Sequence, residues 1–398
     1  MTVATVGIIG AGTMGTGIAL ISCLGGFSTT IHDPEEEALV RAQVRVGEIL
    51  ADGVGRFWRG EEAEAASERL QGAEELAELA DCDLIIEAAP EDLGLKQRIF
   101  YELAALCESS AILATNTSSL RVTDVAAGIP YPERVVGMHF FNPPSRMRLV
   151  EVVATAVSEE DALEDTAEAA ERMGRTPIRV KDSPGFLANR LARPFFLESL
   201  RMLADDVAEP AAIDRICRVG GDFRMGPFEL LDLIGLDVNL SVARSFYEQG
   251  GQPERWRPSP IQEEMVASGR LGRKSGQGFY RYDEYGKRQS DPDPRLHLRA
   301  PTLDEEELRQ IDPAGPQVMQ RLLAQIVNEA NFALEEEIGS PMDANTAMRL
   351  GFNWPLGPLE FSGLLGVRNA IDLLEELQRR LGEAYAPAPR LLTAGETG

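Results

Sequence analysis

Lysine is close to absent from this chain. Only Lys96, Lys181, Lys274 and Lys287 stand among 39 basic side chains, against 64 acidic ones, and the 398 residues carry a formal charge of −25. A surface this acidic repels phosphate backbones, which argues against nucleic acid as a partner and requires any phosphate site to be a local cluster. Arg146, Arg148, Arg273 and Lys274 are candidates for one. Cysteine is as scarce: Cys23, Cys82, Cys107 and Cys217 lack a C-x-x-C spacing and sit in apolar or helical surroundings. They read as reduced core thiols, so neither a disulfide frame nor a metal site is expected. No run is long and apolar enough to span a bilayer, and the chain opens on a strand without a basic-then-apolar leader. A cytoplasmic protein with no membrane partner is the expectation.

With 44% hydrophobic residues, the chain can bury a large core and fill two or three domains. Thr5 to Ile9 reads as a buried parallel strand and runs straight into Gly10-Ala11-Gly12-Thr13-Met14-Gly15, followed by an apolar helix from Thr16 to Leu24. Gly10 permits the tight turn, Gly12 lets the backbone approach a pyrophosphate, and Gly15 allows close helix-strand packing, while free N–H groups at the helix start receive phosphate charge. A second strand, Ser28 to His32, ends at Asp33, where a carboxylate accepts hydrogen bonds from the adenosine ribose hydroxyls and repels a 2′-phosphate. NAD is therefore expected rather than NADP.

The first half continues as alternating strands and helices, a doubly wound α/β pattern. Strands Leu84 to Ala88, Ile112 to Ala114 and Val135 to Met138 end in Pro90-Glu91, Asn116-Thr117-Ser118-Ser119 and His139. Polar residues at strand ends lie on the carboxyl edge of a parallel sheet, where open α/β folds bind ligands. His139, with Glu151 twelve residues on, pairs an imidazole with a carboxylate. A hydroxyl gives up hydride only as a base takes its proton, and an imidazole with an ordinary pKa of about 6.5 suits that task at neutral pH. Taken alone, His139 also reads as a buried strand residue, Glu151 as a surface charge and Ser118 as a helix N-cap.

Gly7 to Gly15, Glu87-Ala88-Ala89-Pro90-Glu91, Asn116 to Ser119, His139 to Pro143 and Lys181 to Arg190 together resemble the L-3-hydroxyacyl-CoA dehydrogenase family over nearly the whole chain. The resemblance implies an α/β Rossmann-type doubly wound sheet followed by all-α C-terminal domains. It implies NAD-dependent oxidation of a 3-hydroxyacyl-CoA, with hydride passing to the nicotinamide. Carried over by motif, His139 is the general base, Glu151 its partner, and Ser118 and Asn189 contact the substrate oxygen. Gly10, Gly12, Thr13, Met14, Gly15, Asp33 and Asn116 belong to the cofactor site, Glu91 and Lys96 border it, and Asn142 lies beside the catalytic ring. Two stretches depart from the family pattern. Pro144-Ser145-Arg146 is polar, and Arg146 hints at a carboxylated acyl tail such as that of 3-hydroxyadipyl-CoA. Asp52 to Arg69, where relatives place an arm over CoA, is short; Arg56 and Arg59 are candidates to meet phosphate and Phe57 or Trp58 to cover the adenine, the other reading being an exposed aromatic in a flexible hairpin.

Beyond Pro184-Gly185 the chain turns helical and repeats. Gly226-Pro227-Phe228-Glu229 returns 131 positions later as Gly357-Pro358-Leu359-Glu360, Arg190 aligns with Arg321 and Glu198 with Glu329. The expected domains are residues 1–182 for the nucleotide, 183–285 for the first helical copy, 286–316 as a linker and 317–392 for a second copy. Gln320 stands opposite Asn189, so the second copy is read as structural. In single-copy relatives this domain packs against its twin, which predicts a monomer with a pseudo-dimeric repeat, or a homodimer using another face. The alternatives in function are a dehydrogenase of free 3-hydroxy acids, of the gulonate or carnitine type, and a non-catalytic NAD-binding protein. Phe140-Phe141 favours the CoA ester.

Overall fold

Strands β1 (Thr5–Ile9), β2 (Ser28–His32), β3 (Leu70–Ala73), β4 (Leu84–Glu87), β5 (Ile112–Thr115), β6 (Val135–Phe140), β7 (Leu149–Ala154) and β8 (Thr176–Lys181) pair into one sheet. Their order is β3-β2-β1-β4-β5-β6-β7-β8. All neighbours run parallel except β6 and β7. The middle strands are buried on both faces, which is why β4 and β5 read as nearly unbroken apolar runs. Strand order reverses between β1 and β4, and the crevice beyond their carboxyl ends is where such sheets take a ligand. In the computed structural model the described residues are 3–288 and 300–397. They divide into two units, Met1–Phe186 and Leu187–Gly398.

In the first unit α1 (Thr13–Leu24) begins three residues earlier than the sequence pattern suggests, because the glycine loop itself forms the first helical turn. Most of the stretch from Asp52 to Arg69 is helical, and residues 54–59 form a turn, with Phe57 exposed on it. α2 (Glu36–Gly53) and α3 (Gly60–Glu68) form an antiparallel pair, and Trp58 closes their corner by donating from Nε1 to the Leu50 carbonyl at 2.7 Å. Leu50, Val46, Ala63 and Ala66 bury against Leu20 and Cys23 of α1, so the small alanines that look featureless in sequence let two helices approach closely. α4 (Leu93–Leu106), the single turn α5 (Val122–Val125) and α6 (Glu160–Arg172) complete the unit.

Among the described residues the second unit's regular elements are helices, beside a few isolated β-bridges between Gly272 and Arg288: α7 (Ala188–Ala204), α8 (Pro210–Gly220), α9 (Pro227–Ile234), α10 (Leu236–Gln249) and α11 (Pro260–Ala267) recur as α13 (Gly315–Glu335), α14 (Pro341–Gly351), α15 (Pro358–Leu365), α16 (Val367–Leu381) and α17 (Pro389–Thr397). α7 and α13 pack together, and their ion pairs are exchanged between copies. Arg190 donates to Glu329 at 2.8 Å and to Glu336 at 2.6 Å, while Arg321 donates to Glu198 at 2.7 Å and to Asp205 at 3.0 Å. Each arginine thus uses the other copy's carboxylates at equivalent positions, the signature of a quasi-twofold axis. The expected linker 286–316 is not all irregular: α12 (Glu305–Ile311) forms inside it, capped by Asp304, with Leu308 and Ile311 buried. Its residues 289–299 lie outside the described residues.

Candidate active site

His139 and Glu151 lie directly opposite each other in the antiparallel β6–β7 ladder. Their side chains on the same face meet, Nδ1 to Oε2 at 2.7 Å, as cross-strand partners do. Glu151 is 0% exposed and His139 5%, so the surface-charge reading of the glutamate falls. A carboxylate only accepts, so Nδ1 carries the hydrogen of this bond, and in the neutral ring the lone pair is on Nε2. Phe141 and Phe186 flank the ring, with centroids 4.6 and 5.6 Å away, and restrict its rotation.

Ser118 follows β5, the strand beside β6, so the hydroxyl and the imidazole share the same sheet edge. Its loop is held by Glu91. One oxygen of that carboxylate accepts from Thr117 Oγ1 at 2.6 Å, the Ser118 and Ser119 N–H groups at 3.1 Å each, and Ser119 Oγ at 2.8 Å. Lys96 lies 3.5 Å from the other oxygen and donates to the buried Glu87 at 2.6 Å, which in turn accepts from Thr115 Oγ1 at 2.7 Å. Burial alone would raise the Glu91 pKa, but the Thr117 hydroxyl, the Lys96 charge and the serine donors outweigh it and hold the carboxyl below its ordinary value. Behind the loop, Asp182 accepts from the Val122 and Thr123 N–H groups and the Thr123 hydroxyl. Sequence reasoning did not find Glu87, Thr115, Thr117 or Asp182 as supports. A glutamate closing an otherwise apolar strand was the available signal for the first.

Asn116 points its Oδ1 at the Phe140 N–H, 2.8 Å away, and so ties the end of β5 to the strand carrying His139. Lys96 is 1% exposed and committed to Glu87. Beside these two and Glu91 lies a groove of about 2340 Å³ whose walls include Gly10, Gly12, Thr13, Met14, Asp33 and Arg146, but not Gly15, Glu91, Lys96 or Asn116. Gly10 has φ +96°, and a Cβ on Gly15 would stand 1.7 Å from the Gly10 carbonyl, so the turn and its packing need both. At Gly12 a Cβ would meet no protein atom within 4 Å; only the groove's occupant would feel it. The first turn of α1 has no acidic residue and no capping side chain, which leaves its N–H groups for an anion. Asp33 accepts from the Ala11 N–H at 2.7 Å and the Glu35 N–H at 3.0 Å, anchored beside the loop. This cradle fits a dinucleotide.

The remaining predicted positions scatter. Asn142 is exposed in the turn after β6, before the cis bond to Pro143. Lys274 is paired with Asp237 at 2.6 Å and Arg59 with Glu62 at 2.9 Å. Trp58 turns inward, whereas Phe57 is 69% exposed with the Arg56 guanidinium 4.9 Å over its ring. Asn189 is half-buried on α7 of the second unit.

A glycine-loop groove and a carboxylate-oriented imidazole at the same carboxyl edge of the sheet define an NAD-linked dehydrogenase of the doubly wound class. The comparisons make this particular. Residues 5–183 match the family described as 3-hydroxyacyl-CoA dehydrogenase, NAD binding domain, and residues 185–282 and 318–398 match its C-terminal domain. The chain is 36% identical to the 3-hydroxyadipyl-CoA dehydrogenase of Escherichia coli K12, over 98% of this chain and 97% of that protein. It is 38% identical to a probable 3-hydroxybutyryl-CoA dehydrogenase of Deinococcus radiodurans, over 69% of this chain and 99% of that protein. The crystal structure of 3-hydroxybutyryl-CoA dehydrogenase from Escherichia coli K12 superposes with a TM-score of 0.90 at 33% identity, covering 100% of this chain and 99% of that one. The chain belongs to the 3-hydroxyacyl-CoA dehydrogenase family, and its reaction class is NAD-dependent oxidation of a 3-hydroxyacyl-CoA. Among the described residues no helix is long and apolar enough to cross a membrane.

Proposed function

We propose that His139 removes the proton of the substrate's 3-hydroxyl through Nε2, with Glu151 orienting the ring and stabilising the imidazolium. The observation that carries this is the buried 2.7 Å contact between Nδ1 and Glu151. It fixes one tautomer and leaves the second nitrogen as the acceptor. Bound NAD would supply the acceptor for the hydride that leaves C3. Ser118 and Asn189 hold the reacting oxygen, with hydrogen bonds that strengthen as charge builds on it. Glu91 and Lys96 act on this step through the loop that presents Ser118. Gly10, Gly12, Thr13, Met14 and Gly15 seat the pyrophosphate on α1, and Asp33 meets the ribose. Reduction of a 3-oxoacyl-CoA uses the same groups with His139 protonated.

The second helical copy serves as scaffold: it has Gln320 where the first has Asn189, and its arginine-carboxylate exchanges with the first copy are already satisfied within the chain. That supports a self-contained monomer, and sedimentation as a tight dimer through α7 and α13 would refute it. Four buried, unpaired cysteines agree with a reducing, cytoplasmic setting. The reaction is tested by following nicotinamide absorbance as NADH is offered with acetoacetyl-CoA and, separately, with free acetoacetate. Turnover of the thioester alone is expected. Turnover of the free acid alone would replace the acyl-CoA assignment.

A further inference from the structure

Arg193 is out of keeping with the other two buried arginines described in the second unit. Arg190 and Arg321 bury their guanidinium groups against two carboxylates each. Arg193 is equally buried, 4% exposed, yet it makes no ion pair among the described residues and its Nη1 has no hydrogen-bond partner. Its one bond runs from Nε to the Asn189 carbonyl at 3.3 Å. The rings of Phe196 and Phe246 lie 5.1 and 5.5 Å from the guanidinium carbon. Aromatic rings attract a guanidinium charge but accept no ordinary hydrogen bond from its N–H groups, so the buried Nη1 keeps its donors unspent. Burial draws its pKa down to about 10, so the group remains charged at neutral pH. An uncompensated buried charge is costly, and a structure that keeps one benefits from an anion arriving to meet it.

Position says which anion. Arg193 follows Asn189 by four residues on α7, on the same helix face, and folds its head back toward it. In the second helical copy the equivalent of Arg193 is Ala324, buried at 0%, where Gln320 has replaced the asparagine. The charge therefore goes with the copy that keeps Asn189. We propose that Arg193 receives a carboxylate at the far end of the acyl chain, which makes a short dicarboxylic 3-hydroxyacyl-CoA the preferred substrate. This rests on the placement of Asn189 at the substrate's 3-oxygen. In a six-carbon diacid the terminal carboxyl carbon lies three bonds beyond C3, about 4 Å at about 1.5 Å per bond with the zigzag allowed for. Four residues of helix rise about 6 Å, and the carboxylate oxygens together with the bent-back guanidinium span the rest. Arg146, the residue that suggested such a tail in the sequence, lines the groove of the glycine loop instead, a place suited to phosphate.

The test compares kcat/KM for 3-hydroxyadipyl-CoA and 3-hydroxyhexanoyl-CoA, chains of one length differing only in the end group, with the full-length enzyme and NAD. The wild type is expected to favour the diacid at least about tenfold, and Arg193→Met to lower that preference ratio by roughly ten- to a hundredfold, the scale of a lost charge-assisted hydrogen bond. Arg193→Lys keeps the charge and should retain an intermediate ratio. A wild type that treats both chains alike, or an Arg193→Met loss shared equally by both substrates, overturns the assignment. If Arg193→Met does not fold, the wild-type preference and the lysine variant decide. Failure of both thioesters in the wild type would instead remove the dehydrogenase reading on which the proposal stands.

Discussion

His139 and Glu151 are register partners across adjacent antiparallel strands, so the backbone ladder itself sets the 2.7 Å separation of imidazole and carboxylate. The pairing does not depend on a loop, and neither partner can drift without breaking the sheet. His139→Gln should therefore leave the fold and NADH binding nearly intact while lowering kcat by roughly two to four orders of magnitude, the usual weight of a positioned base. Stopped-flow reduction of acetoacetyl-CoA, with NADH affinity measured by fluorescence, separates the two effects. A loss below tenfold would reject His139 as the base.

Glu91 is expected to matter through Ser118 and not through charge at the reaction. Its single oxygen gathers four donors from residues 117 to 119, so Glu91→Ala frees the loop. Misplacement of a reacting group by about 1 Å can cost about a hundredfold; the expected result is a kcat loss of roughly ten- to a hundredfold. In Ser118→Ala, where the loop has no hydroxyl left to present, the same Glu91→Ala change should cost far less. Equal losses in both backgrounds would show that Glu91 acts elsewhere.

Asp33→Ala removes the carboxylate fixed beside the glycine loop by the Ala11 and Glu35 N–H groups. NAD should bind roughly tenfold more weakly or worse, and discrimination against NADP should shrink as repulsion of the 2′-phosphate disappears. Titration of both reduced cofactors checks this. Unchanged affinity for each would remove Asp33 from the ribose site.

The nucleotide half was legible in the sequence because its signals are local. Gly10 to Gly15 and Asp33 report directly on the turn, and the apolar runs mark the strands. The support shell was not legible, since Glu91 reaches residues 117 to 119 and Asp182 reaches Val122 and Thr123 from about sixty positions away. Likewise the α2–α3 corner depends on Trp58 folding back to Leu50, a tertiary outcome that a stretch rich in glycine and glutamate does not announce. The duplication was visible as a spacing, but the exchange of Arg190 and Arg321 between Glu329 and Glu198 follows only once α7 and α13 are packed. Arg193 went unnoticed for the same reason: only the folded state reveals that, among the buried arginines described in the second unit, it lacks the carboxylate that Arg190 and Arg321 have.

The two helical copies also supply a natural control for a buried acid. Asp214 accepts from the Phe228 and Glu229 N–H groups and caps α9, and Tyr280 donates to it at 2.6 Å. At the equivalent position Asn345 caps α15 with a neutral amide, accepting from Leu359 at 3.0 Å. Burial pushes the Asp214 carboxyl up from 3.8 to about 7, helped by the charge of Glu229 and opposed by the Tyr280 hydroxyl and the two N–H donors. An acid whose folded pKa is raised holds its proton more tightly in the folded state. Its contribution to stability is fully present below about pH 4 and is lost as the pH rises through about 7. Asp214→Asn removes that dependence. The melting temperature of the variant relative to wild type should therefore climb by a few degrees between about pH 5 and pH 8, since each kcal/mol moves Tm by roughly 2–4 °C in a unit of this size. All other titrating groups are common to both proteins and cancel in the difference. A difference that stays flat across the range would mean that Asp214 does not change charge there and that its hydrogen bonds, not its burial, set its state.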